Sequence, residues 1–249
     1  TYNADGASDI EGILSITGTG VYDADNTFTA ASGAVTFTGA GFLRCDNTVT
    51  DLGTLSTGAG TVEYDGGTQT VLSDNYFNLE IDQSGVKTAG GALDIDGNLT
   101  IDNSATLDMS ASNYNLTIAG NYTLTSGTFT SRTGTVTFDG GDAQTVTSGG
   151  SDFYNLITTG SSTAVTLADA MTIANDLTIA SSSSLDVSGS NYAIGIKGNW
   201  SNSGTFVDQA GTVTFDGGGA QTVTSGGSDF YNLTTATSST AITISDNTT

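Results

Sequence analysis

The chain has 249 residues with 34 Gly, no Pro, no His, one Cys and one Trp, and 4 Lys plus Arg against 26 Asp plus Glu give it a net charge of −22. This charge repels nucleic-acid phosphates and anionic lipids, which excludes nucleic-acid partners and basic membrane-binding roles. The composition also excludes a Ser-His-Asp triad, a His-ligated metal, an intramolecular disulfide and a multi-Cys zinc site, and no apolar run is long enough to predict a membrane span.

The apolar residues predict a folded, all-β chain. Hydrophobic residues make up 36% of the sequence, and Val, Ile, Thr, Tyr and Phe, which suit the half-buried surface of a sheet, carry most of the pattern. Apolar and polar residues alternate with a period of two between turns of Gly, Ser, Asn and Asp, as expected of short strands. No stretch has the 3.6-residue apolar period of a helix.

Internal repeats divide the chain into segments. Residues 134–156 recur almost unchanged as residues 211–233, an offset of 77, and a looser copy begins at Gly60, 74 residues before the first of these. The repeats predict four segments of one continuous solenoid. In chain order these are irregular N-terminal coils at 1–59, repeat 1 at 60–133, repeat 2 at 134–210 and a partial repeat 3 at 211–249.

A shorter period inside each long repeat predicts the fold. Polar residues followed by apolar ones, as at Asn78-Leu79 and Asn98-Leu99, recur mostly every 20 to 23 residues, whereas a propeller blade needs about 40 to 45. Asp-Gly turns of the hairpin type do not occur at every strand break. We therefore predict a right-handed parallel β-solenoid (β-helix) of about 11 coils, with 20–23 residues per coil and a long repeat of 74–77 residues, and a sandwich array is the rival fold.

The solenoid prediction includes a register. Equivalent residues of successive repeats, such as Phe138 and Phe215 or Leu107 and Leu185, are expected to point inward and to lie on the same side of the solenoid. Thr-x-Thr pairs such as those at 145–147 and 222–224 resemble an ice-binding face, but they do not recur in every coil. Ordinary solvent-facing strand positions are the favoured interpretation of these pairs.

The repeat motif also carries a family resemblance. Gly-Thr-Val-Thr-Phe-Asp-Gly, Gln-Thr-Val and Phe-Tyr-Asn-Leu at residues 134–156, with Gly-Asn-Trp at 198–200, resemble repeats of large secreted prokaryotic surface proteins. These are filamentous-haemagglutinin-like adhesins and extracellular filament or matrix proteins, and the likeness covers residues 33–249. It implies a secreted, structural protein of the cell surface or of an extracellular filament. The chain starts and stops within the repeat pattern, as expected of a portion of a longer secreted protein.

The ends of the chain predict a partner. Solenoids normally carry a polar terminal cap, and neither end of this sequence supplies one, because residues 13–16 and 241–244 still alternate like strands. We expect copies of the chain to form a homopolymer, end to end or by donation of a strand. The alternative is an adhesin stalk or a carbohydrate-binding module that grips surface glycans in grooves around Tyr122, Tyr192 and Trp200.

Carboxylates are the candidate reactive groups. Asp94 with Asp96, or Asp139 with Asp142, has the groups for acid–base catalysis. The next copy of the repeat has Gly in place of Asp142, which suits a solvated turn, so we expect no enzymatic activity. Asp94, Asp96 and Asn98 place three oxygen ligands within five residues and form a candidate Ca²⁺ site; no other cofactor is predicted.

Two further residue types have alternative interpretations. Cys45 is expected to be a small buried hydrophobe or, in a secreted protein, the partner in an intermolecular disulfide. Asn residues recur near the coil starts, which favours a ladder of Asn side chains that hydrogen-bond from coil to coil. The same residues include Asn-x-Ser/Thr sequons, which are candidate glycosylation sites in a secreted chain. The sequon residues are Asn98, Asn115, Asn121, Asn199, Asn232 and Asn247.

Overall fold

Short alternating segments become parallel strands that stack from one coil to the next. The structure, a computed structural model, describes residues 1–56, 58–160, 164–235 and 241–246. In these residues every regular element is a strand, and the strands form a parallel β-solenoid of about 12 turns, which confirms the predicted fold class and is close to the predicted 11 coils. Asn247, a predicted glycosylation site, lies outside the described residues.

Strands of two to five residues follow one another along the chain. Up to Thr130 they are β1 (Tyr2–Ala4), β2 (Ser8–Asp9), β3 (Ile13–Ile16), β4 (Val21–Ala24), β5 (Phe28–Thr29), β6 (Ala34–Phe37), β7 (Phe42–Cys45), β8 (Val49–Asp51), β9 (Thr54–Leu55), β10 (Thr61–Tyr64), β11 (Gln69–Val71), β12 (Asn75–Tyr76), β13 (Asn78–Ile81), β14 (Gly85–Ala89), β15 (Leu93–Ile95), β16 (Leu99–Ile101), β17 (Ala105–Asp108), β18 (Leu116–Ile118), β19 (Tyr122–Leu124) and β20 (Thr128–Thr130). The later strands are β21 (Thr135–Phe138), β22 (Gln144–Thr147), β23 (Asn155–Thr158), β24 (Ala164–Leu167), β25 (Met171–Ile173), β26 (Leu177–Ile179), β27 (Ser184–Asp186), β28 (Ile194–Ile196), β29 (Trp200–Asn202), β30 (Thr205–Val207), β31 (Thr212–Phe215), β32 (Gln221–Thr224), β33 (Asn232–Thr235) and β34 (Ile242–Ile244).

The chain divides into two units, and unit 1 consists of Thr1–Leu116 and Leu124–Arg132. Each of its coils passes along three sides. One side is the parallel series β1, β4, β7, β10, β13 and β16. The second side is β2, β5 and β8, followed by a separate sheet of β11, β14, β17 and β20. The third side is β3, β6 and β9, followed by the pair β12 and β15.

Unit 2 consists of Thr117–Thr123 and Thr133–Thr249. Its first side is the parallel series β19, β22, β24, β27 and β30. Its second side is β25, β28, β31 and β33. Its third side is β21, β23, β26, β29, β32 and β34. The predicted segment boundaries at 59/60, 133/134 and 210/211 stay predictions.

The core of each unit is a set of columns of inward side chains. In unit 2, Leu156, Leu177, Trp200 and Val223 stand in register on successive coils and are 0–1% exposed. Burial of each such side chain contributes about 1.5–3 kcal/mol. The polar residues between them face outward, so period-two alternation becomes one buried and one solvated face on every side of the coil.

Equivalent residues of the long repeat point inward but not on one side. Phe138 and Phe215 are both fully buried, as are Leu107 and Leu185. However, β21 pairs with β23 on the third side of unit 2, whereas β31 pairs with β28 and β33 on the second side. The expectation that Phe138 and Phe215 share a side is wrong, because the chain between them makes three full turns and only two sides of a fourth. The same offset places the Thr pairs of β22 and β32 on different sides, so they form no common flat face.

Candidate functional site

The most regular polar feature is a buried Gln at the start of a strand. Gln144 is 1% exposed, and its Nε2 donates hydrogen bonds to the carbonyl oxygens of Ile118 (2.9 Å) and Gly120 (2.7 Å) on the preceding coil. Its Oε1 accepts a hydrogen bond from the Gly140 amide at 3.3 Å. One side chain therefore joins two coils and closes its own turn. The same arrangement is repeated at Gln69 and at Gln221.

The turn before this Gln requires Gly at one position. A Cβ on Gly140 would lie 2.0 Å from the carbonyl oxygen of Ala119 on the preceding coil, whereas a Cβ on Gly141 would meet nothing within 4 Å. Gly217 and Gly66 have the same close approach to a carbonyl oxygen. The Asp-Gly-Gly motif is thus a site of close coil-to-coil packing. Asp139 and Asp142, the candidate catalytic pair, are exposed on this turn.

A polar ladder runs through the coil starts of unit 2. Asn155 Oδ1 accepts a hydrogen bond from Asn175 Nδ2 at 2.8 Å. Asp176 Oδ1 accepts hydrogen bonds from the backbone amide of Asn199 at 2.7 Å and from its side-chain Nδ2 at 3.1 Å. On the next step, Asn199 Oδ1 accepts a hydrogen bond from the backbone amide of Thr222 at 2.9 Å. The predicted ladder is therefore present, with Asp as one member and backbone amides as donors in several steps.

A second Gly-rich turn holds a carboxylate from the following coil. The amides of Ser148 and Gly149 donate to the two carboxylate oxygens of Asp169, each at 2.7 Å. Gly149 and Gly150 have φ values of 60° and 78°, which Gly adopts at low cost and which aim the amides at one point, as in anion-binding nests. In the next copy the amides of Ser225 and Gly226 donate to Asp246 at 2.8 and 2.7 Å. We call this arrangement the carboxylate clamp.

Within the described residues of unit 1, carboxylates from different coils form two groups. Asp23, Asp46 and Asp65 place one oxygen each within 4.8 Å of one another; we call these three residues the carboxylate cluster. Burial, together with a hydrogen bond to Asp46 and its charge, raises the pKa of Asp65 to about 8. Glu63, Glu80 and Asp82 form the second group.

One basic residue partly offsets this charge. Arg44 Nε lies 2.7 Å from Glu63 Oε2, and the Glu63 side chain is only 5% exposed. Burial raises the pKa of Glu63 although the Arg44 guanidinium opposes the shift. Sequence reasoning missed these groups because each draws on more than one coil; Asp46 and Asp65, for example, lie 19 residues apart in the sequence. The signal that could have revealed these groups is that charged residues occupy the outward positions of β4, β7, β10 and β13.

The predicted calcium ligands lie elsewhere in unit 1. Asp94, Asp96 and Asn98 are all exposed, on β15 and the turn after it. Burial and then the charge of Asp96 raise the pKa of Asp94. The backbone amide of Asn98 donates to Asn78 Oδ1 at 2.8 Å, a coil-to-coil hydrogen bond of the same kind as those of the ladder in unit 2. Neither Asp belongs to the two carboxylate groups, and calcium binding at this position stays a prediction.

The candidate glycosylation sites are at the surface. Five of the six sequon residues are exposed, and the side-chain oxygens of Asn121 and Asn199 also accept coil-to-coil hydrogen bonds. Asn121 Oδ1 accepts from the Thr145 amide at 2.7 Å, in the manner of Asn199. A glycan at either residue would have to leave this hydrogen bond in place. The exposed sequon residues are Asn98, Asn115, Asn121, Asn199 and Asn232.

The prediction about the aromatic side chains needs correction, whereas Cys45 matches the first of its two interpretations. Tyr122 and Trp200 were candidates for a sugar-binding groove, but they are 0% and 1% exposed. They occupy inward positions of β19 and β29, and Trp200 packs edge-on against Phe206 with ring centroids 4.8 Å apart; only Tyr192 is half-buried. Cys45 is 1% exposed in β7, so it is the small buried hydrophobe, and an intermolecular disulfide would require the coil to open.

Comparisons with known proteins found no match to this chain. No protein-family model, no curated protein sequence and no solved structure matches it. The described residues hold no helix with the length and hydrophobicity needed to cross a membrane. The features that bear on function are therefore the coil-to-coil contacts and the surfaces of the coils.

Proposed function

We propose that this protein is a structural, non-enzymatic β-solenoid, secreted to the cell surface or into an extracellular filament, where copies of the chain associate. One observation carries the proposal: the polar residues that define the repeat bind the neighbouring coil. Gln144, Asn199 and Asp169 each use their side chains for coil-to-coil hydrogen bonds. A repeat built for cohesion between coils suits a load-bearing element better than a ligand site.

Exposed apolar residues support the self-association part of the proposal. Tyr2 and Ile13 are 63% and 75% exposed in the first coil, and Tyr231 is 65% exposed beside β33. Strand edges with unpaired amides and carbonyls bind other strands readily, and apolar side chains beside them add burial. An adhesin stalk, the alternative, would use the same cohesion without polymerising. Burial of Tyr122 and Trp200 weighs against the carbohydrate-binding alternative.

Light scattering and negative-stain electron microscopy over a concentration series test the proposal. We expect end-to-end polymers of the 249-residue chain, and we expect Ile13→Asp or Tyr231→Asp to abolish them. Val86→Asp is the matched control, because Val86 is an exposed apolar residue (40%) in β14, which has a paired strand on each side. A chain that stays monomeric at high concentration would leave the stalk as the function.

A further inference from the structure

In the interior of unit 2, the edge of β22 and the carboxylate clamp that follows it together hold one neighbouring strand. We call this combination of strand edge and clamp the module. Strand β24 lies parallel to β22 with Val165 beside Gln144 and Leu167 beside Val146. Two residues after β24, the carboxylate of Asp169 enters the clamp formed by the Ser148 and Gly149 amides. The edge of β22 and its clamp therefore select a strand with two apolar residues in alternate positions and an Asp shortly after the second.

The same module is repeated at β32. Strand β34 lies parallel to β32 with Ile242 beside Gln221 and Ile244 beside Val223. Asp246 then occupies the clamp of Ser225 and Gly226 at 2.8 and 2.7 Å. Main-chain bonds give such a strand affinity, and the alternating side chains and the carboxylate give it specificity.

The two copies differ in how firmly the added strand is held. Val165 and Leu167 of β24 are 0% and 1% exposed, and β24 also pairs with β27 on its other edge. In contrast, Ile244 of β34 is 45% exposed, Ile242 is half-buried, and the pairing of β34 in the described residues is with β32. Because little apolar area is lost when β34 leaves, its dissociation costs much less free energy than that of β24.

We propose that β34 exchanges between copies of this chain, so that residues 241–246 of one copy add to the β32 edge of a second copy and place Asp246 in the second copy's clamp. The inference rests on the proposed self-association and names its contact. A second copy is the fitting partner because the acceptor already selects this chain's own segment. A short contact made mainly by backbone hydrogen bonds brings few charged side chains together, which limits the repulsion between two molecules that each carry a charge of −22.

Cysteine pairs of known register provide the test. Thr222 and Thr243 are adjacent partners on β32 and β34, and both are exposed. Neighbouring strands lie about 4.8 Å apart, which a disulfide spans. Thr222→Cys and Thr243→Cys are made in separate chains, one with a size tag, then mixed and mildly oxidised. Exchange predicts a covalent heterodimer several-fold above the homodimers of either variant, and Asp246→Asn should reduce it.

The interior module supplies the matched control. Thr145→Cys and Thr166→Cys, adjacent partners on β22 and β24, should give no heterodimer, because β24 is buried and paired on both edges. A yield for 222/243 no higher than for 145/166 would overturn the proposal. Light scattering on the same wild-type preparations separates the two hypotheses: polymers without the 222/243 cross-link would retain self-association and reject strand exchange.

Discussion

At the scale of single residues, Gln144 joins two coils through a buried amide. Replacement by Ala leaves the carbonyl oxygens of Ile118 and Gly120 without this donor inside the protein. The Ile118 oxygen still accepts from the Asp139 backbone amide at 3.1 Å, but the buried Gln144 side chain makes three hydrogen bonds, each worth about 0.5–1.5 kcal/mol. Gln144→Ala should therefore lower the free energy of unfolding by roughly 1–3 kcal/mol in urea titrations. Gln144→Glu should be no better, because it removes the same donor.

Thr145 is the control for this substitution. It follows Gln144 in β22 but is exposed, and exposed substitutions usually change stability by less than about 0.5 kcal/mol. If Gln144→Ala and Thr145→Ala unfold at the same urea concentration, Gln144 does not hold the coils together.

Cys45 gives a second prediction at this scale. Its side chain is in the core, and burial raises the pKa of the thiol well above its usual range. The thiolate is the reactive form, so the folded protein should not react with a thiol reagent at pH 8, while the urea-unfolded protein should react fully. A fast reaction of the folded chain, or a dimer on a non-reducing gel, would mean that Cys45 is accessible after all.

At the scale of the element, the Asp-Gly-Gly turn depends on the close approach at its first Gly. A Cβ at Gly140 would lie 2.0 Å from the Ala119 carbonyl oxygen, which is backbone and cannot rotate away, and 3.1 Å from Cδ of Gln144. We expect Gly140→Ala to destabilise the protein by roughly 1–3 kcal/mol or more, as overpacking does, measured as a lower melting temperature.

Substitution of the adjacent Gly distinguishes the effect of crowding by a Cβ from the effect of losing a Gly. A Cβ at Gly141 would meet nothing within 4 Å, so Gly141→Ala should leave the melting temperature nearly unchanged. The pair Gly217 and Gly218 repeats this contrast in the next copy. Equal effects of the two substitutions at either turn would show that the contact is not what fixes Gly there.

At the scale of the whole molecule, excess negative charge makes stability depend on pH in an unusual direction. The pKa of Asp65 is about 8 in the folded chain against an ordinary value of 3.8, and burial also raises the pKa values of Asp23, Glu63 and Glu80. A carboxyl whose pKa is raised by folding stabilises the fold while it is protonated. Its contribution is complete below about pH 4 and is lost as the pH rises to about 8.

Other carboxylates change the stability of the fold only at lower pH. A hydrogen bond from Ser126 lowers the pKa of Asp102, and one from Arg132 lowers that of Asp108, so their contributions are lost only as the pH falls below about 4. We therefore expect a higher urea midpoint at pH 5 than at pH 8. Asp65→Asn should raise the midpoint at pH 8 and flatten the difference.

Asp216→Asn is the control at the equivalent turn two repeats later, outside the carboxylate cluster. A midpoint that rises from pH 5 to pH 8 in the wild-type chain would contradict the role of the cluster. Added salt should also raise the midpoint at pH 8, because screening weakens repulsion between surface carboxylates.

Much of this molecule follows from its sequence alone. Period-two alternation, as in Leu177–Ile179, predicts strands, and recurrence of like residues every 20 to 23 positions favours parallel stacking over a sandwich. The inward columns and the coil-start ladder follow from the same two periods, because a residue that repeats at coil length meets its own kind. The lack of His excludes a Ser-His-Asp triad and a His-ligated metal site without reference to any contact.

Only the tertiary structure decided which residues meet across coils. Hydrogen-bonded partners on neighbouring coils lie 18 residues apart at Asn78 and Gly60 but 24 apart at Gln144 and Gly120. With coil length so variable, a fixed offset in sequence does not identify spatial neighbours, and the carboxylate cluster stayed hidden for this reason. The long repeat, moreover, contains no whole number of turns, which moves Phe138 and Phe215 to different sides. Alternation likewise leaves open whether an aromatic residue lines a groove or the core, and packing placed Trp200 inside.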